Sequence, residues 1–150
     1  MSRLAKKFST NKAAETQGIL YEEYDSEGPL FRVRLARMGG GNKKLKERMN
    51  ELNKPYRRMK LEDIPAATVE KIFLQAVCET VILPGTWQSY VDGKYVDGIE
   101  DPETGKLLPA TAENYQKVLG QLKELLDRLT EEATNFNNYR LAALEDESKN

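Results

Sequence analysis

From Thr111 to Leu129 the apolar residues Tyr115, Val118, Leu119, Leu122, Leu125, Leu126 and Leu129 recur three and four positions apart without a gap. This spacing predicts one amphipathic helix, capped by Thr111 and favoured by Glu113 in its first turn, whose Leu-rich face must be covered. A second such face begins at Asp63 and Pro65 and runs through Val69, Ile72, Phe73, Ala76, Val77 and Val81, broadened by Leu74 and Cys78. Two long apolar helical faces in one chain of 150 residues point to a helical bundle built around them. The same Leu-rich face is wide enough to serve as an oligomer seam.

The N-terminal part follows a different period. Ile19 to Tyr24 and Leu30 to Leu35 flank the turn formers Asp25-Ser26-Glu27-Gly28, and Phe31, Val33 and Leu35 alternate with Arg32 and Arg34. A β-hairpin is expected, with one apolar and one basic face. Residues 1–16 are polar and read as a flexible arm, and residues 17–150 as a single domain. Gly39-Gly40-Gly41 separates the hairpin from a helix capped by Asn42, carrying Leu45, Met49 and Leu52 and ended near Asn53 by Pro55. Gln88 to Pro109 is dense in turn formers and reads as a long loop with at most one small hairpin about Asp92-Gly93. Thr130 resembles a further cap, with Ala133, Phe136, Tyr139, Ala143 and Leu144 continuing the helical period and Glu145 to Asn150 fraying. The fold class expected is α+β, mostly α: a helical bundle with an N-terminal β-hairpin.

Composition narrows the chemistry. Hydrophobic residues make up 39% and charged residues 31%, too apolar for a disordered chain and too interrupted by charge for a span of about 20 apolar residues. Met1 to Gly18 lacks the apolar stretch of a secretory signal, so a soluble cytoplasmic protein with no membrane partner is expected. Cys78 is the single cysteine and no histidine is present, which excludes an internal disulfide, Cys/His zinc sets and Ser-His-Asp or Cys-His catalysis. Cys78 sits in an apolar helical stretch that hides it and raises its pKa. No enzyme activity and no cofactor or metal is expected.

Charge is unevenly placed. Phe31 to Lys60 holds eleven Lys and Arg against Glu47 and Glu51, a net of +9, whereas Leu61 to Asn150 carries −9. Such a run is most often a solvated face. Its functional readings are an acidic protein partner or, with Tyr56 stacking on a base, nucleic acid. The glycine triplet before Lys43 and Lys44 is a weak phosphate cradle and otherwise a hinge. Gly98 to Lys106 lacks the spacing of a P-loop, and Asp92 to Asp97 fails as a calcium loop because Lys94 and Val96 fall where oxygen ligands are needed. Trp87 reads as core, while Tyr90 and Tyr95 suit either core edge or interface. The candidate protein-binding residues are Arg34, Arg37, Lys43, Lys44, Arg57, Arg58, Tyr90 and Tyr95.

Taken in order, several segments resemble the tail assembly chaperones of long-tailed, siphovirus-type bacteriophages. They are Phe31-Arg-Val-Arg-Leu-Ala-Arg37 with its continuation to Lys44, Lys54-Pro-Tyr-Arg-Arg58, Val77-Cys-Glu-Thr-Val81, and Trp87 before an Asp-Gly loop. Thr111-Ala-Glu-Asn114, Glu132-Ala-Thr-Asn135 and Asn138-Tyr-Arg-Leu-Ala-Ala-Leu-Glu145 complete the likeness, which covers residues 31–150. The resemblance implies a protein that binds the tape measure protein, keeps it soluble, recruits tail tube protein in the host cytoplasm and is absent from the mature virion. It carries over no catalytic residues. Self-association of the basic segment with the acidic remainder is a further expectation. The rival readings are a nucleic-acid-binding module using residues 31–60, a head-tail completion protein retained in the virion, and an enzyme in which Asp97, Glu100, Asp101 and Glu103 converge on a metal.

Overall fold

A computed structural model describes residues 2–140. β1 (Ile19–Asp25) and β2 (Gly28–Leu35) form the expected hairpin, with Leu20 opposite Arg34 and Glu22 opposite Arg32. Asp25 stabilises its tip by accepting a 2.7 Å hydrogen bond from the Glu27 amide. Strand alternation buries Phe31, Val33 and Leu35 and leaves Arg34 exposed on the other face.

The hairpin does not stand alone. β3 (Gln88–Val91) pairs with β2 through Phe31–Ser89 and Arg32–Gln88, and β4 (Lys94–Asp97) pairs with β3. The result is one antiparallel four-stranded sheet in the order β1-β2-β3-β4. Asp92 and Gly93 close the second hairpin at φ of 50° and 83°, the left-handed pair that matches strand twist. β5 (Ile99–Glu100) and β6 (Leu107–Leu108) make a separate two-stranded sheet.

The expected architecture, a mostly helical bundle with an appended hairpin, is thereby corrected. The described residues are α+β, about 49% helical and 23% strand, and the helices pack against one face of the sheet. Residues 88–97 show only two four-residue strands amid turn formers. The partner strand lies 56 residues away, as the Arg32–Gln88 bond spans, and no local pattern reports such a pairing.

Residues expected to form a flexible arm carry two short helices, α1 (Arg3–Phe8) and α2 (Lys12–Gln17), capped by Ser2 and Asn11. Phe8 stacks on Phe136 at 6.3 Å and the Asn11 amide donates to the Tyr139 carbonyl at 2.8 Å, contacts that a reading of residues 1–16 alone does not contain. α3 (Lys44–Leu52) follows the glycine triplet and packs on α4 (Ala66–Thr80). Buried Asn42 lies one residue ahead of the cap position, accepting from the Lys44 amide at 3.3 Å and donating to the Arg37 carbonyl at 2.9 Å. The single helix expected from Tyr115 to Leu129 is two: α5 (Ala112–Gln121) and α6 (Lys123–Thr134), parted at Leu122 with φ −118° and ψ 76°. Thr130 caps nothing, since α6 runs through it and its hydroxyl donates to the Asp127 carbonyl. A 3-10 turn, Phe136–Tyr139, follows, and Ala143, Leu144 and Glu145 to Asn150 lie outside the described residues.

The core sits between the inner sheet face and α4, α5 and α6. Phe31, Val33 and Leu35 meet Val77, Cys78, Val81, Tyr115, Leu119 and Leu129, each worth about 1.5–3 kcal/mol when a side chain of this size leaves water. Trp87 is core, as expected, stacked on Phe31 at 4.4 Å and tilted against Tyr115 at 5.5 Å. Burial pushes the Cys78 thiol up to about 12, so it packs as an inert apolar group. Among the described residues no helix is long and apolar enough to cross a membrane.

Candidate protein-interaction face

The helices cover only one face of the sheet. Because Phe31, Val33 and Leu35 point inward, Arg32 and Arg34 point outward, and the register sets Leu20, Glu22 and Tyr24 of β1 beside them. From the other side, Tyr90 and Tyr95 stand opposite each other on β3 and β4, their rings edge to face at 5.1 Å. The Arg32 guanidinium lies 4.0 Å from the centre of the Tyr95 ring, a cation–π contact.

The orientation of Arg32 is held. Its Nε donates to Gln88 Oε1 at 2.6 Å, and Gln88 Nε2 in turn donates to Asp97 Oδ1 at 2.8 Å. At the edge of the face the Tyr24 hydroxyl donates to Glu22 Oε2 at 2.6 Å, and that hydrogen bond raises the Tyr24 pKa, keeping the phenol protonated. Tyr24 is 55% exposed and Leu20 46%, so large apolar groups share this surface with two arginines. Tyrosine and arginine are, with tryptophan, the side chains enriched at binding hot spots: tyrosine offers wide contact area at low entropic cost, and arginine a planar fork of directed hydrogen bonds. The face is equipped for reversible protein contact.

The eight candidate residues separate into four places. Arg34, Tyr90 and Tyr95 lie on the sheet face, Tyr90 and Tyr95 in contact and Arg34 turned to the Gly18 carbonyl. Lys43 and Lys44 are exposed at the start of α3, and Arg57 and Arg58 are exposed in the turn after the 3-10 helix Lys54–Tyr56. Arg37 is committed internally: it sits 3.5 Å from buried Glu15, with its guanidinium 5.8 Å from the Phe136 ring. Arg48 is likewise occupied, at 2.5 Å from Glu79 and 3.1 Å from Glu51. The +9 segment is continuous in sequence but divided in space, because it crosses a strand, a loop and a helix. Arg32, which is not among the eight candidates, joins this face through its contact with Tyr95. Its alternation with Arg34 was visible, but which arginine meets Tyr95 depends on the β2–β3 register.

The glycine triplet holds an anion from within the chain. The Gly41 amide and the Thr10 hydroxyl both donate to the Glu15 carboxylate. A Cβ at Gly40 would come within 2.3 Å of Arg37 Nη1, and one at Gly41 within 2.7 Å of Glu15 Oε2. The loop is closed around this ion pair and is neither a phosphate cradle nor a free hinge.

The loop carboxylates do not converge. Asp97 faces the sheet surface through Gln88, whereas buried Asp101 accepts from the Glu103 amide at 2.9 Å and lies 3.5 Å from Lys117. That turn amide, opposed by burial and aided by Lys117, lowers the Asp101 pKa. Among the described residues no group of three or more His, Cys, Asp or Glu is placed to hold a metal ion. No protein-family model, curated protein or solved structure matches this chain.

Proposed function

We propose that this chain is a tail assembly chaperone of a long-tailed bacteriophage. It binds the tape measure protein, keeps it soluble in the host cytoplasm, recruits tail tube protein and leaves before the virion matures. The observation that carries the reading is the open sheet face, where Tyr90, Tyr95 and Arg32 stand together and Arg34 and exposed Leu20 lie alongside. The likeness to this family supports it from the sequence side, since Phe31 to Arg37 supplies β2, the strand that contributes both arginines to the face. A holder of amphipathic helices needs apolar area to bind them and charge to orient them, and this face offers both.

The test is co-expression with the tape measure protein of the same phage, followed by purification of the soluble complex. The wild type is expected to co-purify with it. Arg32→Glu combined with Tyr95→Ala should weaken the complex by about tenfold or more, the scale of a single hot-spot loss, with an unchanged melting temperature. A tape measure protein that stays insoluble and unbound beside folded wild type refutes the proposal. The exposed Lys43, Lys44, Arg57 and Arg58 favour a second reading, nucleic-acid binding. That reading requires affinity for DNA falling linearly in a log–log plot against salt.

A further inference from the structure

The geometry points to the outer edge of β1, unpaired among the described residues, as a docking slot for an extended segment of another protein that carries Lys or Arg. β1 is an outer strand of the sheet, and along it lies a groove of about 720 Å³. Its far walls are α2, through Ala13, Ala14 and Gln17, the last turn of α6, through Glu132, and the 3-10 turn that follows, through Asn137 and Asn138. This inference does not rest on the chaperone reading.

The backbone of β1 is turned toward the groove. The Arg34 carbonyl accepts from the Leu83 amide at 3.1 Å and its amide donates to Thr86 Oγ1 at 3.2 Å, so both backbone groups of Arg34 point away from β1. Leu20, the register partner of Arg34, therefore sits in a non-hydrogen-bonded pair, and antiparallel alternation gives Glu22 the same state. Leu20 and Glu22 each present an amide donor and a carbonyl acceptor to the groove.

Edge strands are ordinarily shielded by proline, lysine, short length or a bulge. Ile19 to Glu22 contains no proline or lysine, and the irregularity of β1 comes only beyond it, between Glu23 and Tyr24. The opposite edge, β4, is four residues long and begins with Lys94.

Main-chain chemistry fixes the occupant. An extended peptide repeats donor and acceptor at the two-residue spacing of Leu20 and Glu22, which neither a helix nor a lipid does. Across the slot, the side chains of Gln17 and Asn137 make no hydrogen bond among the described residues, so carboxamides are available to the outer side of an entering strand. Small Ala13 and Ala14 leave room beside them. Glu22 and Glu132 line the slot together with one cation, Arg34, whose guanidinium donates to the Gly18 carbonyl at 3.3 Å, so the two carboxylates leave a net negative lining that favours a basic segment.

The test uses the full chain and a capped decapeptide of alternating Thr and Lys, read by NMR chemical shifts and amide hydrogen exchange. The peptide should bind and slow exchange at Leu20 and Glu22. The same peptide methylated on alternate backbone nitrogens should bind about tenfold more weakly or worse, the loss expected for two missing main-chain hydrogen bonds. A Thr/Glu decapeptide should also bind more weakly. Leu20→Pro removes an outward amide, a change edge strands accept, and should abolish binding. The methylated peptide leaves the protein untouched, so the comparison holds even if that variant misfolds. Binding indifferent to methylation, no binding at millimolar peptide, or Leu20 and Glu22 amides already protected in the free chain would each overturn the proposal. The last, if it depended on protein concentration, would assign the edge to a second copy.

Discussion

Glu15 joins three stretches of chain at one carboxylate, through Thr10, Gly41 and Arg37. Burial alone would raise its pKa, but these donors and the guanidinium outweigh it and hold the group below the ordinary glutamate range. Its stabilising effect is therefore complete above the unfolded-state pKa and is lost as pH falls through the lower folded value. Glu15→Gln should cost about 1–3 kcal/mol at pH 7 by urea denaturation, with the gap to wild type closing as pH falls below the ordinary glutamate range. A gap independent of pH would show that the charge contributes nothing. Tyr115 plays a comparable part in the core, donating to the Leu83 carbonyl at 3.0 Å and accepting from the Trp87 amide at 3.2 Å. Tyr115→Phe should cost about 2 kcal/mol in the same assay, whereas Tyr24→Phe, exposed on the sheet face, should stay within about 0.5 kcal/mol. Trp87 and Cys78 were legible as core because they interrupt or continue apolar stretches. Glu15 was not, since nothing in Thr10 to Gln17 distinguishes a carboxylate that will be enclosed from one that stays wet.

At the scale of elements, the glycine triplet shows how a loop reads as slack when its constraint is supplied from elsewhere. A free hinge would accept alanine at little cost. Here Gly40→Ala and Gly41→Ala should each lower stability by about 1–3 kcal/mol, because the new Cβ meets Arg37 or Glu15. In a double-mutant cycle, Gly41→Ala should couple to Glu15→Ala by about 1 kcal/mol, and strict additivity would dissociate the loop from the ion pair. The break at Leu122 was hidden for the opposite reason. Tyr115, Val118 and Leu119 on α5, then Leu125, Leu126 and Leu129 on α6, each keep helical spacing, so the pattern runs unbroken across a residue that is itself 40% exposed. The Asp92-Gly93 hairpin was readable because both positions require left-handed backbone, which that dipeptide tolerates well.

For the whole molecule, the basic segment is the clearest case of a sequence feature partitioned by the fold. Arg57→Glu with Arg58→Glu, both exposed, should leave the melting temperature nearly unchanged, within about 0.5 kcal/mol of stability. Arg37→Ala should lower it sharply, by about 3 kcal/mol or more, because it leaves the buried Glu15 carboxylate without its cation. Equal melting temperatures for the two variants would refute this division. Tyr90 and Tyr95 were marked as interface candidates from their chemistry, but their meeting with Arg32 follows from long-range strand pairing that no window of sequence contains. The same pairing sets a timetable for biosynthesis. With 56 residues between Arg32 and Gln88, a ribosome adding about 5–20 residues per second takes roughly 3–11 s to deliver the strand that docks beside β2. Through that interval Phe31, Val33 and Leu35 have neither β3 beside them nor α5 and α6 beneath, so each newly made molecule spends seconds as a sticky, half-built hairpin.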